Sequence, residues 1–295
     1  MIETEGLTRQ FDGITAVDRL DLSVDKGALF GFLGRNGAGK TTTLKMLSTV
    51  LRPSNGRARI GGHDVLREPR EVRRLIGVVG EGVETTRPFW TPMDYLVFFL
   101  GLHGLTRRES AEAAKRWLER LDLAEHRNRP TGDFSSGMRR RLELCRALSH
   151  EPDVLLLDEP TKDLDIPGKR EIWDIVRGLA REEGTTVFVC SHEAAEIQAL
   201  CETIAVIRSG RLGYHGAVST LPDPVFKVTG ASPHDADLLL DRLPVLSSSN
   251  AGSALYLAFK ERMTLEEVRE AIRVDGRDVD VQEVHAFDER ILAFL

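Results

Sequence analysis

The stretch Gly34-Arg35-Asn36-Gly37-Ala38-Gly39-Lys40-Thr41-Thr42 fits the pattern G-x-x-x-x-G-K-[ST] of a phosphate-binding loop. The chemistry needs each part. Glycines let the backbone curl until its N–H groups point into an anion-binding nest. A helix that starts at the end of the loop adds the positive end of its dipole. Lys40 can reach β- and γ-phosphates, and the Thr41 hydroxyl can ligate Mg²⁺, so ATP and Mg²⁺ are the expected ligands. Further along, Leu157-Asp158-Glu159 closes the apolar run that begins at Val154. Asp158 is placed to hold Mg²⁺, directly or through water. Glu159 is placed to act as general base toward an attacking water. Alone, such a pair reads as an acidic strand end facing solvent; a phosphate loop at this separation favours the catalytic reading.

These residues require a strand, a loop and a helix in that order. Ala28 to Leu33 reads as a buried strand, and Thr43-Leu44-Lys45-Met46-Leu47 continues with helical spacing to near Val50. Around this unit, Glu3 to Phe11 and Ala16 to Val24 read as strands, and Ala58 to Ile60 as part of a short hairpin after the turn Pro53-Ser54-Asn55-Gly56. Leu75 to Val79 reads as a buried strand, Val154 to Asp158 as a strand buried on both faces of a parallel sheet, and Thr186 to Cys190 as a further strand. Helices are expected over Thr91 to Leu102, Thr106 to Leu121 with a Thr106–Glu109 capping box, and Met138 to Leu148. They form a helical insertion at about residues 82–147. Two more helices, Ile172 to Arg181 and Ala194 to Cys201, precede a closing hairpin of Ile204 to Ile207 with Arg211 to Tyr214.

The pattern breaks at Leu221-Pro222-Asp223-Pro224, where prolines limit helix and sheet. Beyond it come a strand (Val225 to Val228), a helix (Pro233 to Leu243), two strands (Val245 to Ser248, Ala254 to Phe259), a helix (Thr264 to Val274) and a strand (Val279 to Val284). That βαββαβ order is the ferredoxin-like motif. A last apolar helix, Glu289 to Phe294, should pack on the tail itself or on a second copy of the chain. The expected fold is α/β. Residues 1–220 form a P-loop NTPase (RecA-like) core with an N-terminal antiparallel β portion and the helical subdomain. Residues 221–295 form an accessory α+β domain.

A chain of 295 residues can bury a sizeable core. Its net charge of −6 argues against coating nucleic acid, and the basic run Arg139 to Arg141 reads as a solvated helix face. Cys145, Cys190 and Cys201 lack metal-ligand spacing and read as buried thiols in a reducing compartment. The polar, acidic start Met1 to Glu5 is no signal peptide, and no apolar run is long enough to span a bilayer. The expectation is a cytoplasmic protein.

Between the two chemical stretches lies Phe134-Ser135-Ser136-Gly137-Met138, then Arg139-Arg140-Arg141-Leu142-Glu143-Leu144-Cys145-Arg146-Ala147-Leu148. Here the chain resembles the nucleotide-binding subunits of ABC transporters, in the group whose Leu-Ser-Gly-Gly-Gln signature ends in Met, as in drug and antibiotic exporters of the ABC-2 type. Ser135 and Gly137 match that signature; Phe134, Ser136 and Met138 depart from it. The resemblance, which runs from about Ile2 to Tyr214, implies that Phe11 stacks on adenine and that the Ser135-Ser136-Gly137 loop meets a γ-phosphate held by a second monomer. It makes Lys162-Asp163-Leu164-Asp165 the D-loop with Asp165 its acid, and His192 the switch histidine. Where the family has Gln as a Mg²⁺ ligand, this chain has Glu81, whose carboxylate can still ligate Mg²⁺.

The resemblance also implies ATP hydrolysis by a homodimer or a heterodimer with a paralogue, and a separate transmembrane permease that brings the chain to the inner face of the membrane. Phe89, Trp90, Pro92 and Tyr95 are candidates for the permease dock or, equally, for core packing. A soluble ABC ATPase acting on DNA or ribosomes would carry a long coiled coil or two cassettes, and neither is present. A nucleotide-binding module with poor turnover is opposed by Glu159 and His192 and left open by Glu81 and Ser136.

Overall fold

The computed structural model of the chain describes residues 1–80, 88–231, 243–261, 263–272 and 279–295. The N-terminal strands β1 (Ile2–Phe11) and β2 (Ile14–Val24) form an antiparallel hairpin. Next come the central strand β3 (Leu29–Leu33) and helix α1 (Lys40–Leu47). Strands β4 (Asn55–Ile60) and β5 (His63–Asp64) complete a four-stranded antiparallel sheet of order β2-β1-β4-β5. Helix α2 (Pro69–Leu75) was not expected from the sequence. Four of its seven residues are charged and it buries only Val72, so it has no apolar stripe to betray it; Pro69 at its first turn was the available signal. Strand β6 (Ile76–Val79) follows.

The helical subdomain comprises α3 (Pro92–Leu102), α4 (Arg107–Arg120) and α5 (Ser136–Leu148). Thr91 with Asp94 and Thr106 with Glu109 form reciprocal capping boxes, which satisfy N–H groups left open at the helix starts. The chain then returns to the core through β7 (Val154–Asp158), α6 (Ile166–Glu183), β8 (Thr186–Ser191), α7 (Ala194–Leu200), β9 (Thr203–Arg208) and β10 (Arg211–Ala217). Helix α6 starts six residues before Ile172, the expected start, because Asp165 caps it and Pro167 fits its first turn.

The central sheet has the order β10-β9-β3-β8-β7-β6, parallel except for the β9–β10 hairpin. Side chains alternate across it. Val154, Leu156 and Phe188 join α1 and the N-terminal sheet in one buried cluster. Leu155, Leu157, Val187 and Val189 join the helical subdomain, α6 and α7 in the other. The middles of β7 and β8 are therefore apolar on both faces. A side-chain carbon on Gly77 in β6 would stand 2.1 Å from the Ala147 carbonyl oxygen of α5. Gly77→Ala is expected to destabilise the fold by about 1–3 kcal/mol, seen as a lower denaturant midpoint. An unchanged midpoint would mean that α5 is not pressed on the sheet.

After Leu221 the strands Val225–Thr229, Val245–Ala251, Ala254–Phe259 and Asp280–Val284 form a separate antiparallel sheet. Its spatial order is second, third, first, fourth, as the ferredoxin-like motif requires. Helix Leu265–Ile272 follows a Thr264–Glu267 capping box. The expected helix over Pro233 to Leu243 lies almost wholly outside the described residues. The chain's last elements, Phe287–Ile291 and a short 3₁₀ turn Leu292–Phe294, pack on two surfaces of their own chain. Phe294 lies 5.3 Å from the Tyr214 ring of β10, and Ser247 Oγ of the tail sheet donates to Ala293 O at 2.8 Å. Phe287 and Ile291 share a buried cluster with Ile197 and Leu200 of α7. The apolar end thus covers the core as well as the tail, and a second copy is not needed to bury it. Among the residues proposed for docking, Tyr95 and Pro92 are buried, so they belong to the core.

Candidate active site

Strand β3 delivers the phosphate loop, and neighbouring strands hold it in place. Gly34 N–H donates to Ser191 O of β8 at 3.2 Å. Gly39 has φ of 111°, and a side-chain carbon there would meet Ala16 O at 2.5 Å. Only glycine fits that close turn onto β2. Helix α1 begins at the next residue, so its dipole points at the loop mouth.

Lys40, the first residue of α1, is buried. Its Nζ donates to Gly34 O at 2.7 Å and to Arg35 O at 3.3 Å, and lies 3.5 Å from Glu159 Oε1. Thr41 Oγ1 donates to Asp158 Oδ2 at 2.7 Å. Those oxygens come from positions 117 apart in sequence. They are hard donors of the type Mg²⁺ takes.

Glu159 follows β7 with φ of 49°, a left-handed conformation that costs a non-glycine residue energy. Two contacts hold it there. Its N–H donates to Cys190 O at 2.9 Å, and Arg140 of α5 reaches its carbonyl at 3.3 Å. The turn aims the carboxylate back over the loop, between Lys40 and His192. His192 Nδ1–H donates to Glu159 Oε2 at 2.8 Å, which fixes the ring tautomer while the base is ionised. Burial pushes the Cys190 thiol well above its usual range, so this neighbour is no nucleophile.

A cavity of about 420 Å³ opens over these groups. Asn36, Gly37, Gly39 to Thr42, Glu159 and His192 line it, joined by Ala16 and Lys162. Of the last two, Lys162 was placed from the sequence only as the first residue of the D-loop, and Ala16 had no role assigned. Lys162 was legible as a cation three residues beyond Glu159; nothing marks Ala16. Another cavity, of about 480 Å³, lies among Lys26, Arg116, Trp117, Arg120 and Glu183. Four of its charged side chains pair with each other, Arg116 with Glu151 and Arg120 with Glu183. No phosphate loop reaches it, so the chemistry belongs to the first.

The remaining candidates stand elsewhere. Ser135 caps α5, its Oγ accepting from Met138 N–H at 3.2 Å; Ser136 and Gly137 form the helix's first turn. Asp165 caps α6, its Oδ1 accepting from Gly168 N–H at 3.0 Å. Phe11 ends β1 with the Arg9 guanidinium 4.3 Å over its ring. None of these lines the cavity. Glu81 lies outside the described residues.

Residues 17–162 match the family model described as ABC transporter. The chain is 42% identical over 220 residues to the daunorubicin/doxorubicin resistance ATP-binding protein DrrA of Streptomyces peucetius, covering 75% of this chain and 66% of that one. It is 37% identical over 225 residues to the ABC transporter ATP-binding protein NatA of Bacillus subtilis, covering 75% of this chain and 91% of that one. In structure it resembles a dimeric bacterial ABC transporter cassette, with a TM-score of 0.67, 23% identity, and coverage of 74% of this chain and 98% of the other. It resembles CbiO1 of Clostridium perfringens at a TM-score of 0.67, 25% identity, and coverage of 73% and 88%. With the phosphate loop and Glu159 lining one cavity and Asp158 bonded to Thr41 beside it, the chain belongs to the ABC transporter family, as an ATP-binding, ATP-hydrolysing subunit.

Proposed function

We propose that the chain hydrolyses Mg²⁺-bound ATP in this cavity and drives export of a substrate through a separate membrane subunit. The observation that carries the reading is the seat of Glu159, between Lys40 and His192 and beside the Thr41–Asp158 pair. In this reading Glu159 takes a proton from the attacking water. The water oxygen bonds to the γ-phosphorus, the bond to ADP breaks, and inorganic phosphate leaves with ADP. Lys40 binds the β- and γ-phosphates, the loop N–H groups from Gly34 to Thr42 cradle them, and His192 orients the base. Thr41 and Asp158, with Glu81, would hold Mg²⁺, which neutralises charge developing on the phosphate oxygens. Phe11 stacks on adenine.

Ser135, Ser136 and Asp165 are exposed, Gly137 is half-buried, and all four stand away from the cavity, which suits residues that complete a partner monomer's site. Two copies, or one copy and a paralogue, would enclose two ATP molecules. Every residue assigned to ATP lies at or before His192, which supports residues 1–220 as the catalytic domain and 221–295 as an accessory one. Among the described residues no helix is long and apolar enough to cross a membrane. Contact with the inner face of the membrane would come through the permease. For its dock we assign Phe89, 91% exposed, with Phe98, 47% exposed, and Trp90, whose ring lies 5.2 Å from Phe98. The double substitution Phe89→Asp with Phe98→Asp is expected to abolish co-sedimentation with membranes carrying the permease while phosphate release in solution continues. Retained co-sedimentation would refute the dock; absence of wild-type phosphate release would refute the enzyme reading.

A further inference from the structure

Glu196 stands in the first turn of α7 and is 1% exposed. Its carboxylate meets donors from three segments. Thr161 Oγ1 donates to Oε1 at 2.7 Å, Trp173 Nε1 donates to the same oxygen at 3.2 Å, and the Ser191 hydroxyl bonds the carboxylate as well. An ionised carboxylate is an acceptor only, so three converging donors match it. Burial raises its pKa above the usual carboxylate range, and the three donors pull in the opposite direction.

The positions of the donors matter more than their number. Thr161 lies two residues past Glu159. Ser191 immediately precedes His192. Trp173 stands on α6, the helix that Asp165 caps. One buried carboxylate therefore ties together the segments that carry the base, the switch histidine and the D-loop acid. A second tie, Lys169 Nζ to Glu193 at 2.5 Å, joins α6 to the same switch segment. It is partly exposed, and pairs of that kind contribute little. In a dry interior, hydrogen bonds to a charged acceptor hold geometry far better.

We propose that Glu196 is a positioning residue for hydrolysis: by holding Thr161, Ser191 and Trp173 it sets the 2.8 Å contact between His192 and Glu159. The proposal rests on Glu159 as base and His192 as its partner. Glu196→Gln removes the charge and turns one of the two acceptor oxygens into a donor, so the bonds that anchor the three segments weaken.

The test is ATP titration and single-turnover phosphate release on the full chain. Glu196→Gln is expected to lower the turnover rate about tenfold or more, with ATP affinity held within about twofold. Thr161→Val, which removes one hydroxyl from the network, should lower the rate in the same way; Thr161→Ser should not. In a His192→Ala background the loss caused by Glu196→Gln should shrink, because the contact it supports is already gone. A role confined to stability would give the same loss in both backgrounds. Equal losses, or wild-type rates in Glu196→Gln and Thr161→Val, overturn the proposal. Should Glu196→Gln not fold, Thr161→Val and Trp173→Phe carry the same comparison. Full turnover by Glu159→Gln would instead overturn the reading beneath it; an inactive Glu159→Gln beside a fully active Glu196→Gln sinks only the role of Glu196.

Discussion

Glu159→Gln leaves ATP bound and stops its turnover. The amide is the same size as the carboxylate, and its oxygen can still accept the His192 Nδ1–H bond seen at 2.8 Å. The left-handed turn at Glu159 and its N–H bond to Cys190 O belong to the backbone and remain. Only the proton acceptor is lost. General base catalysis contributes about 10²–10⁴-fold, so phosphate release should fall by at least that lower bound. Binding should hold, because the phosphates are met by Lys40 and the loop N–H groups. The ATP that links two monomers would then persist, and the variant should elute as a dimer in size-exclusion chromatography with ATP and as a monomer without it. Release of phosphate at the wild-type rate would remove Glu159 from the role of base, whatever the state of the dimer.

How much of this was legible in sequence depends on the distance over which each signal acts. The phosphate loop is local: its glycines, Lys40 and Thr41 are consecutive, and so is the strand-ending pair Asp158-Glu159. Their meeting is not local. The Thr41–Asp158 bond spans 117 positions and the His192–Glu159 contact 33; the parallel order β3-β8-β7 creates both by setting these strand ends side by side. The resemblance to a family supplied that order for His192, whereas a lone histidine after a strand carries no such information. Buried strands were readable because a sheet covered on both faces tolerates no polar alternation. Helix α2 was not, since it buries one residue. Tyr95 was left open between two roles: aromatic side chains mark a core and a docking surface alike, and packing alone placed this one inside. Glu196 left no trace in sequence. An acid in the first turn of a helix is ordinary; its burial against Thr161 and Trp173 comes from the contact of α6 with α7.

Lys40→Ala is expected to weaken ATP binding by about 10–100-fold, the loss that follows from removing hydrogen bonds to a charged group. Lys40 is the cation that the loop keeps buried, 6% exposed, at its mouth. Its ammonium is held by Gly34 O and Arg35 O, so it is already positioned before any phosphate arrives, and little side-chain entropy is left to lose on binding. The same two bonds create an ambiguity, since alanine would also release the loop backbone. Lys40→Met resolves it by keeping most of the stem's bulk while removing the charge. If the cation matters for phosphate, alanine and methionine should weaken ATP binding alike, with thermal unfolding little changed for methionine. If the lysine matters mainly as a brace for the loop, methionine should retain most of the affinity. Direct titration with ATP, run beside a melting curve for each variant, separates the two. Unchanged affinity in both variants would mean that the phosphates do not sit at this loop, and the assignment of Thr41, Asp158 and Glu159 around it would fall as well.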